Sequence, residues 1–155
     1  MGIANRVYFT GYIHDEVRNS LYSWADAAVF PSLYEPFGIV ALEAMAARTP
    51  VVVSDCGGIS EIVRHGEDGL KAKTGNSHSL AQNILALLRQ PQLGNYLRDT
   101  AYQKVTEDFN WKIIARQTAS VYRDVWEAHR STPWSTEERQ GSIFGRFNRL
   151  LARYS

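Results

Sequence analysis

The sequence is first informative for what it has little of. Its 155 residues include one cysteine, Cys56, which excludes an internal disulfide and a cysteine-based metal site. The four histidines are scattered without ligand spacing, so we expect no metal centre built on them. No apolar stretch approaches the roughly 18–20 residues of a membrane span, and the first residues lack a signal-peptide pattern. We therefore expect a cytoplasmic, reducing location.

Charge is also nearly balanced along the chain. The formal net charge is +1, so no global field favours nucleic acid, and we expect no nucleic-acid partner. The length is sufficient for one domain with a buried core.

What the sequence does contain is an alternation of short apolar runs and helix-patterned segments. The apolar runs predict strands at 7–9, 27–30, 51–54 and 70–72, and the segments between them predict helices at 16–25, 38–47 and 60–64. Asp15 is the predicted N-cap of the first helix. This order predicts an α/β fold, a Rossmann-like parallel sheet with helices on both faces.

The remainder of the chain is predicted to be helical. Helices are expected at 77–89, capped by Ser77 or Ser79, at 91–107 and at 111–129. We expect a Rossmann-like domain over 1–130, a polar linker over 131–141 and a basic amphipathic helix over 142–155. Such a tail suits peripheral contact with an anionic inner membrane surface, but we favour docking of the tail onto this domain or another one.

Ligands of an open parallel sheet bind outside the carboxyl ends of its strands. Three glycine- or proline-containing loops follow predicted strand ends, at 11–13, 32–37 and 55–58. We therefore expect these three loops to cluster on one rim of the sheet.

The middle loop opens the stretch EPFGIVALE, which runs from Glu35 to Glu43. Pro36 keeps Glu35 out of the α region, so this carboxylate precedes the helix, on the rim. Gly38 allows close approach of a ligand to the backbone, and the free N–H groups of the helix start favour an anion such as phosphate. Glu43 lies within a helix that is apolar almost all round, so the helix is predicted to be buried and the carboxylate needs donors. Arg48, five residues on, is a poor local partner.

From the residues alone, other interpretations of these carboxylates stay open. A glutamate before a helix often only complements the helix dipole, and a glutamate within one often faces solvent. A glycosidase pair is a further alternative, although the helix start calls for an anionic ligand rather than a neutral sugar.

At this point several blocks of residues resemble one known family. Glu35-x7-Glu43 with Pro-Phe-Gly resembles the E-x7-E signature of retaining GT-B glycosyltransferases, most closely glycosyltransferase family 4, the group 1 transferases. The resemblance extends over about residues 6–128 through VYFTG at 7–11, LYSWAD at 21–26, VFPS at 29–32, PVVVS at 50–54, GGISEIV at 57–63 and FNW at 109–111. Ser60 departs from the pattern, since many relatives have proline there.

The resemblance implies a role for this chain within a larger fold. Members have two Rossmann-like domains facing a cleft, and the chain resembles the later part of the C-terminal, donor-binding domain, incomplete at its N-terminus. The N-terminal domain, and the basic residues that face the diphosphate in the family, are among the partners it would need.

The resemblance also implies roles for individual residues. Glu35, the catalytic candidate, would contact donor-sugar hydroxyls, and Glu43 would accept hydrogen bonds from the ribose. Further donor-binding candidates are Phe37, Gly38, Ile39 and Val40, through their backbone N–H groups, and Gly11, Tyr12 and Ile13, near the base edge.

The function implied is transfer of a sugar from a UDP-, GDP- or ADP-linked donor to an acceptor sugar or lipid-linked glycan, with retention of configuration and without a metal or cofactor. We expect no turnover by this chain alone, because the acceptor domain and the diphosphate-facing cations are missing. The alternative is a non-catalytic module that keeps the fold and binds a nucleotide or a partner protein.

Overall fold

A computed structural model of the protein describes residues 2–131. The chain divides into two compact units, residues 1–109 and residues 110–155, and each is described by itself. In the second unit the described part is one helix, Trp111–Ser131. The predicted tail over 142–155 and the linker beyond Ser131 lie outside the described residues, so both stay predictions. No helix within residues 2–131 has the length and apolarity needed to cross a membrane.

The first unit alternates strands and helices along the chain. A 3-10 turn, Ala4–Arg6, comes first. It is followed by α1 (Asp15–Trp24), β1 (Ala28–Phe30), α2 (Ile39–Ala46), β2 (Val51–Ser54), α3 (Gly57–Ile62), β3 (Leu70–Ala72), α4 (Ser77–Arg89) and α5 (Pro91–Asp108), and the helix of the second unit is α6.

The three strands form one parallel sheet in the order β1-β2-β3. Val52 lies opposite Val29 of β1 and Leu70 of β3, so β2 is the central strand. All four residues of β2 are buried, as an apolar run in the middle of a parallel sheet requires.

Apolar layers cover both faces of this sheet because successive side chains of a strand point to opposite sides. Val51 and Val53 pack in a cluster with Met45 of α2 and Ile59 of α3. Val52 packs on the other side with residues of α4 and α5, among them Leu87. The predicted fold class, a Rossmann-like parallel sheet with helices on both faces, is confirmed.

The strand predicted over 7–9 is wrong. These residues have no regular secondary structure, and Tyr8 and Phe9 are 84% and 96% exposed. β-Branched and aromatic residues favour a strand only where a neighbouring strand satisfies their backbone groups. Within residues 2–131, no strand pairs with this segment.

Several helix ends also differ from prediction. Asp15 is the first residue of α1 rather than its N-cap, and it pairs with Arg18 one turn on. The cap of α4 is Asn76, whose side chain accepts from the N–H of Ser79. α3 begins at Gly57, three residues before the predicted start, and Gly57 itself has a positive φ of 51°.

A buried carboxylate connects α5 to the loop after α3. Asp68 is fully buried and accepts from the backbone N–H of Arg64 at 2.6 Å and from its Nε at 3.0 Å. Lys104 of α5 reaches the same carboxylate at 2.8 Å and also donates to the carbonyl oxygen of Ile62. The charge is therefore both paired and hydrogen-bonded, which a buried ion requires.

Replacing Lys104 by methionine leaves Asp68 buried with one cation fewer. We expect Lys104→Met to lower the free energy of unfolding in urea by about 3 kcal/mol. The matched control is Asp99→Asn, which breaks the exposed pair between Asp99 and Arg48 and is expected to cost less than about 1 kcal/mol. Equal losses in the two variants would contradict a stabilising role for the buried pair.

Candidate functional site

Two of the three predicted rim loops meet at the carboxyl ends of β1 and β2. The N–H of Gly58 donates to the carbonyl oxygen of Glu35 at 2.9 Å. The thiol of Cys56 donates to the carbonyl oxygen of Ser32, at 3.4 Å. The loop after β1 is therefore held against the start of α3 by one backbone hydrogen bond and one thiol hydrogen bond.

The approach between these loops is so close that it requires glycine. A Cβ atom at Gly57 would stand 2.2 Å from the carbonyl oxygen of Glu35, and one at Gly58 would stand 2.2 Å from that of Pro36. Gly38 has φ +102°, and a Cβ atom there would lie 2.7 Å from the side chain of Ile59. The three glycines fix the loop that carries Glu35 and the start of α2.

The start of α2 presents free donors. Gly38 is its N-cap, and no hydrogen bond among the described residues engages the backbone N–H groups of Phe37, Gly38, Ile39 or Val40. Phe37 and Ile39 are 49% and 61% exposed. The four N–H groups predicted from the sequence are thus unpaired at an open helix N-terminus, an arrangement that suits an anion.

The prediction that α2 is buried all round is wrong. Ala41, Ala44 and Met45 face the core, whereas Ile39 and Val40 in the first turn are exposed. The described elements pack against one side of the helix only, so its apolar sequence does not translate into complete burial. Glu43, whose side chain is 31% exposed, lies at the border between these sides.

The two glutamates differ in their surroundings. The side chain of Glu35 is half-buried and makes no hydrogen bond among the described residues. The carboxylate of Glu43 has a partner that sequence reasoning missed, because Arg18 of α1 donates from Nη2 to Oε1 at 3.0 Å. Arg48, which the spacing predicts to be a poor partner of Glu43, pairs with Asp99 and lies over the ring of Tyr102.

Arg18 is itself held by its own helix. Its Nη1 donates to Asp15 at 3.0 Å, and its Nη2 also donates to Asn19 at 3.3 Å. The signal in the sequence was a lone arginine in the first turn of α1, but only the packing of α1 against α2 brings it to Glu43.

The pair between Arg18 and Glu43 is only half satisfied. Nε of Arg18 and Oε2 of Glu43 are buried atoms without a hydrogen-bond partner among the described residues. Nearby, burial raises the pKa of the Tyr22 phenol, and the Glu43 carboxylate raises it further, while Arg18 opposes the rise.

The third predicted rim loop is placed differently. Gly11, Tyr12 and Ile13 do not follow a strand but precede α1, and Gly11 has a positive φ of 62°. Tyr12 is 88% exposed, and its ring contacts that of His14 edge-on. No hydrogen bond among the described residues joins this segment to the Glu35 loop, so the structure brings α1 to the site through Arg18.

A polar cluster lies beside the glycine pair, at the end of β2. The hydroxyl of Ser60 donates to the carboxylate of Asp55, and Nζ of Lys71 lies 2.9 Å from that hydroxyl and 3.4 Å from Asp55. The hydrogen bond from Ser60, followed by the charge of Lys71, holds the pKa of Asp55 below its ordinary value.

A cavity of about 500 Å³ opens on the side of the Glu35 loop that faces α3 and α5. Its lining consists of Pro36, Phe37, Gly57, Gly58, Glu61, Ile62, Lys104, Asp108 and Phe109. Within residues 2–131, no group of three or more histidine, cysteine or acidic side chains is arranged to hold a metal ion.

Comparison with known proteins gives the same family from sequence and from structure. Residues 1–104 match the family model described as glycosyl transferases group 1. The chain is 41% identical over 127 residues to an uncharacterized glycosyltransferase of Methanocaldococcus jannaschii, a match that covers 82% of this chain and 33% of that protein.

Two solved structures share the fold. Sucrose-phosphate synthase from Thermosynechococcus elongatus superposes with a TM-score of 0.75 at 39% identity, over 81% of this chain and 32% of that one. HepE from Anabaena, solved in complex with UDP-glucose, superposes with a TM-score of 0.74 at 31% identity, over 79% and 34%. The chain thus spans about a third of the length of the proteins that it matches.

The glycine contact can be tested by adding one methyl group. We expect Gly58→Ala to lower the free energy of unfolding by about 1–3 kcal/mol and to shift the backbone amide signals of residues 37–40, because the Cβ atom meets the carbonyl oxygen of Pro36. The matched control is Gly94→Ala in α5, where the nearest atom is 4.0 Å away, and it should be neutral or stabilising by up to about 1 kcal/mol. If both variants changed the free energy of unfolding and the amide signals equally, the close contact at Gly58 would not be what holds residues 37–40 in place.

The Asp55 cluster predicts a dependence of stability on pH. Because the pKa of Asp55 is lowered in the folded state, its contribution is complete above the ordinary value of 3.8 and is lost as pH falls through the folded-state pKa. We expect unfolding free energies measured over this acid range to fall less steeply in Asp55→Asn and Ser60→Ala than in the unaltered chain. If the unfolding free energy fell with pH equally in all three proteins, the assignment of this pH dependence to Asp55 would be contradicted.

Proposed function

The chain belongs to the family of glycosyl transferases group 1, and we propose that it is the donor-binding part of an enzyme that transfers a sugar from a nucleoside-diphosphate sugar to an acceptor. The observation that carries the proposal is the set of four unpaired N–H groups at the start of α2, between Glu35 and Glu43. Because the chain spans about a third of its relatives, the activity of the whole enzyme is part of the proposal.

The proposed position of the diphosphate and sugar is the start of α2. The N–H groups of Phe37, Gly38, Ile39 and Val40 are free, and the dipole of the helix adds partial positive charge at the same end. The glycine contacts with α3 hold these donors in place before a ligand arrives. Preorganised donors of this kind suit a leaving phosphate whose negative charge grows in the transition state.

The two carboxylates take different parts of the donor in this proposal. Glu35 precedes the helix and makes no side-chain hydrogen bond among the described residues, so its carboxylate is free to accept from hydroxyls of the donor sugar. Glu43, on the next turn of α2, accepts hydrogen bonds from the ribose hydroxyls. A carboxylate can accept several such bonds, and each is strengthened by its charge.

The proposed chemistry is transfer with retention of the anomeric configuration. The bond from the anomeric carbon to the phosphate oxygen breaks through an oxocarbenium-like state, and the electron pair leaves with the diphosphate. A hydroxyl oxygen of the acceptor forms the new bond to the anomeric carbon on the same face, and its proton passes to the departing phosphate. Helix donors stabilise that charge, and the proposal needs neither a metal ion nor a covalent nucleophile. Glu35 is the catalytic candidate because it stands nearest to the reacting sugar in this arrangement.

For the donor we favour UDP first, with GDP and ADP as alternatives. HepE, which shares this fold at 31% identity, was solved in complex with UDP-glucose. Gly11, Tyr12 and Ile13 stay proposed contacts of the base edge, because they lead into α1, whose Arg18 reaches Glu43. A second domain and an acceptor, a sugar or a lipid-linked glycan, complete the proposed enzyme.

The test is calorimetric binding of UDP, GDP and ADP to the 155-residue chain. We expect at least one of these nucleotides to bind, and we expect Glu43→Gln to weaken its binding about tenfold, since each hydrogen bond to a charged group contributes about 1.5–3 kcal/mol. The control is Glu107→Gln, which removes an exposed carboxylate of α5 that accepts a hydrogen bond from Gln103.

Two outcomes count against this proposal. Binding of none of the three nucleotides favours the second form of the alternative, a non-catalytic module that keeps the fold and binds a partner protein. Equal affinity of the unaltered chain and Glu43→Gln removes Glu43 from the ribose while leaving donor binding in place.

A further inference from the structure

We infer that Arg18 determines how strongly this site prefers a ribose, because its ion pair with Glu43 has to be exchanged for the ribose hydroxyls when a nucleotide binds. This inference rests on the proposed function, since it concerns the same nucleotide site. It assigns a role to a residue outside the stretch from Glu35 to Glu43, on a different helix.

The starting point is that neither oxygen of the Glu43 carboxylate is ready for a ligand. Oε1 accepts from Nη2 of Arg18 at 3.0 Å, and Oε2 is buried without a donor. A ribose hydroxyl that is to bind this carboxylate meets one occupied oxygen and one covered oxygen. Binding therefore requires the pair to rearrange.

The unpaired atoms show that the pair is a poor arrangement for both partners. An acceptor buried without a donor costs about 1–3 kcal/mol in typical cases, and here Nε of Arg18 is unpaired as well. Native structures rarely keep such atoms without a reason. A pair built only to connect α1 with α2 would gain from using both carboxylate oxygens and Nε.

Exchange of the pair leaves Arg18 satisfied. Its Nη1 stays bound to Asp15 at 3.0 Å, and its Nη2 has Asn19 at 3.3 Å when Glu43 is released. Glu43 in turn replaces one N–H donor with two hydroxyl donors, so Oε2 gains its partner. The two side chains are each 31% exposed, so solvent also reaches the pair as it opens.

Arg18 and the ribose hydroxyls compete for Glu43, and this competition determines how a substitution of Arg18 changes nucleotide affinity. Removing the guanidinium frees Glu43 before the nucleotide arrives, so ribose binding no longer has to break an ion pair. A nucleotide without ribose hydroxyls gains nothing from this release. The preference for a ribose over a dideoxyribose therefore rises when Arg18 is replaced by an uncharged side chain of similar length.

The experiment compares UDP with 2′,3′-dideoxy-UDP on the 155-residue chain, with the GDP and ADP pairs in parallel. We expect Arg18→Met to raise the ratio of the two affinities about fivefold, which corresponds to ~1 kcal/mol and to the upper range for a half-exposed ion pair. Arg18→Lys, which keeps a cation beside Glu43, should stay near the unaltered chain. The dideoxy nucleotide carries the same diphosphate, so the ratio cancels any general effect of charge.

A second measurement needs no variant. The NMR signal of the Arg18 Nε–H group should shift when the unaltered chain binds UDP and should stay in place with the dideoxy nucleotide.

A double variant provides the control. In the Glu43→Gln background, Arg18→Met should leave the ratio of the UDP and dideoxy-UDP affinities unchanged, because the competing carboxylate is gone.

Opposite results have distinct meanings. A lower or unchanged ratio in Arg18→Met, or an Arg18 signal that responds equally to both nucleotides, overturns the exchange while donor binding stands. Failure of every nucleotide to bind the unaltered chain overturns the proposed function, and this inference with it.

Discussion

The contact on which the site depends is the one between the backbone of α3 and the backbone of the loop after β1. Gly58 donates to the carbonyl oxygen of Glu35, and side chains at Gly57 or Gly58 would collide with the carbonyl oxygens that face them. Because β1 and β2 are adjacent parallel strands, their carboxyl ends lie side by side, and only glycine lets the two connections touch. Through Gly38 and Ile59 the same contact fixes where α2 begins, and with it the free N–H groups.

Sequence reasoning succeeded where a single local constraint decides the outcome. The apolar run of β2 predicted a buried strand of a parallel sheet. The Pro-Phe-Gly turn predicted that the carboxylate of Glu35 precedes a helix that begins near Gly38. It failed where the decision depends on a partner: Val7–Phe9 has the composition of a strand but finds no neighbour among the described residues. The cap of α4 is Asn76 instead of Ser77 or Ser79, and α1 begins after His14, which makes no side-chain capping hydrogen bond. The pairing of Arg18 with Glu43, 25 residues apart in sequence, follows only from the way α1 packs on α2.

Two carboxylates in the first unit differ in how completely their charge is satisfied. Asp68 is completely buried and accepts from one backbone N–H and two cations, so its charge is matched and a ligand has nothing to add. Glu43 is only half-buried, has one cation and keeps an unpaired oxygen. Complete satisfaction makes a polar group part of the core, whereas incomplete satisfaction leaves free energy that a ligand can recover. Burial and partner count therefore distinguish Asp68, whose partners are complete, from Glu43, the acid proposed to bind a ligand, without reference to any relative.

The same reasoning clarifies where positive charge at the site comes from. Arg18 is the cation that the described residues bring to Glu43, and its charge is already shared with Asp15 and Glu43. Within this unit, the attraction for an anion therefore comes mainly from backbone N–H groups, while two carboxylates stand on either side of them. A site of this composition suits hydroxyl groups next to a phosphate, but its backbone donors neutralise the negative charge of the phosphate incompletely. In the proposed enzyme, basic residues from the part of the fold outside this chain complete the stabilisation of the leaving group.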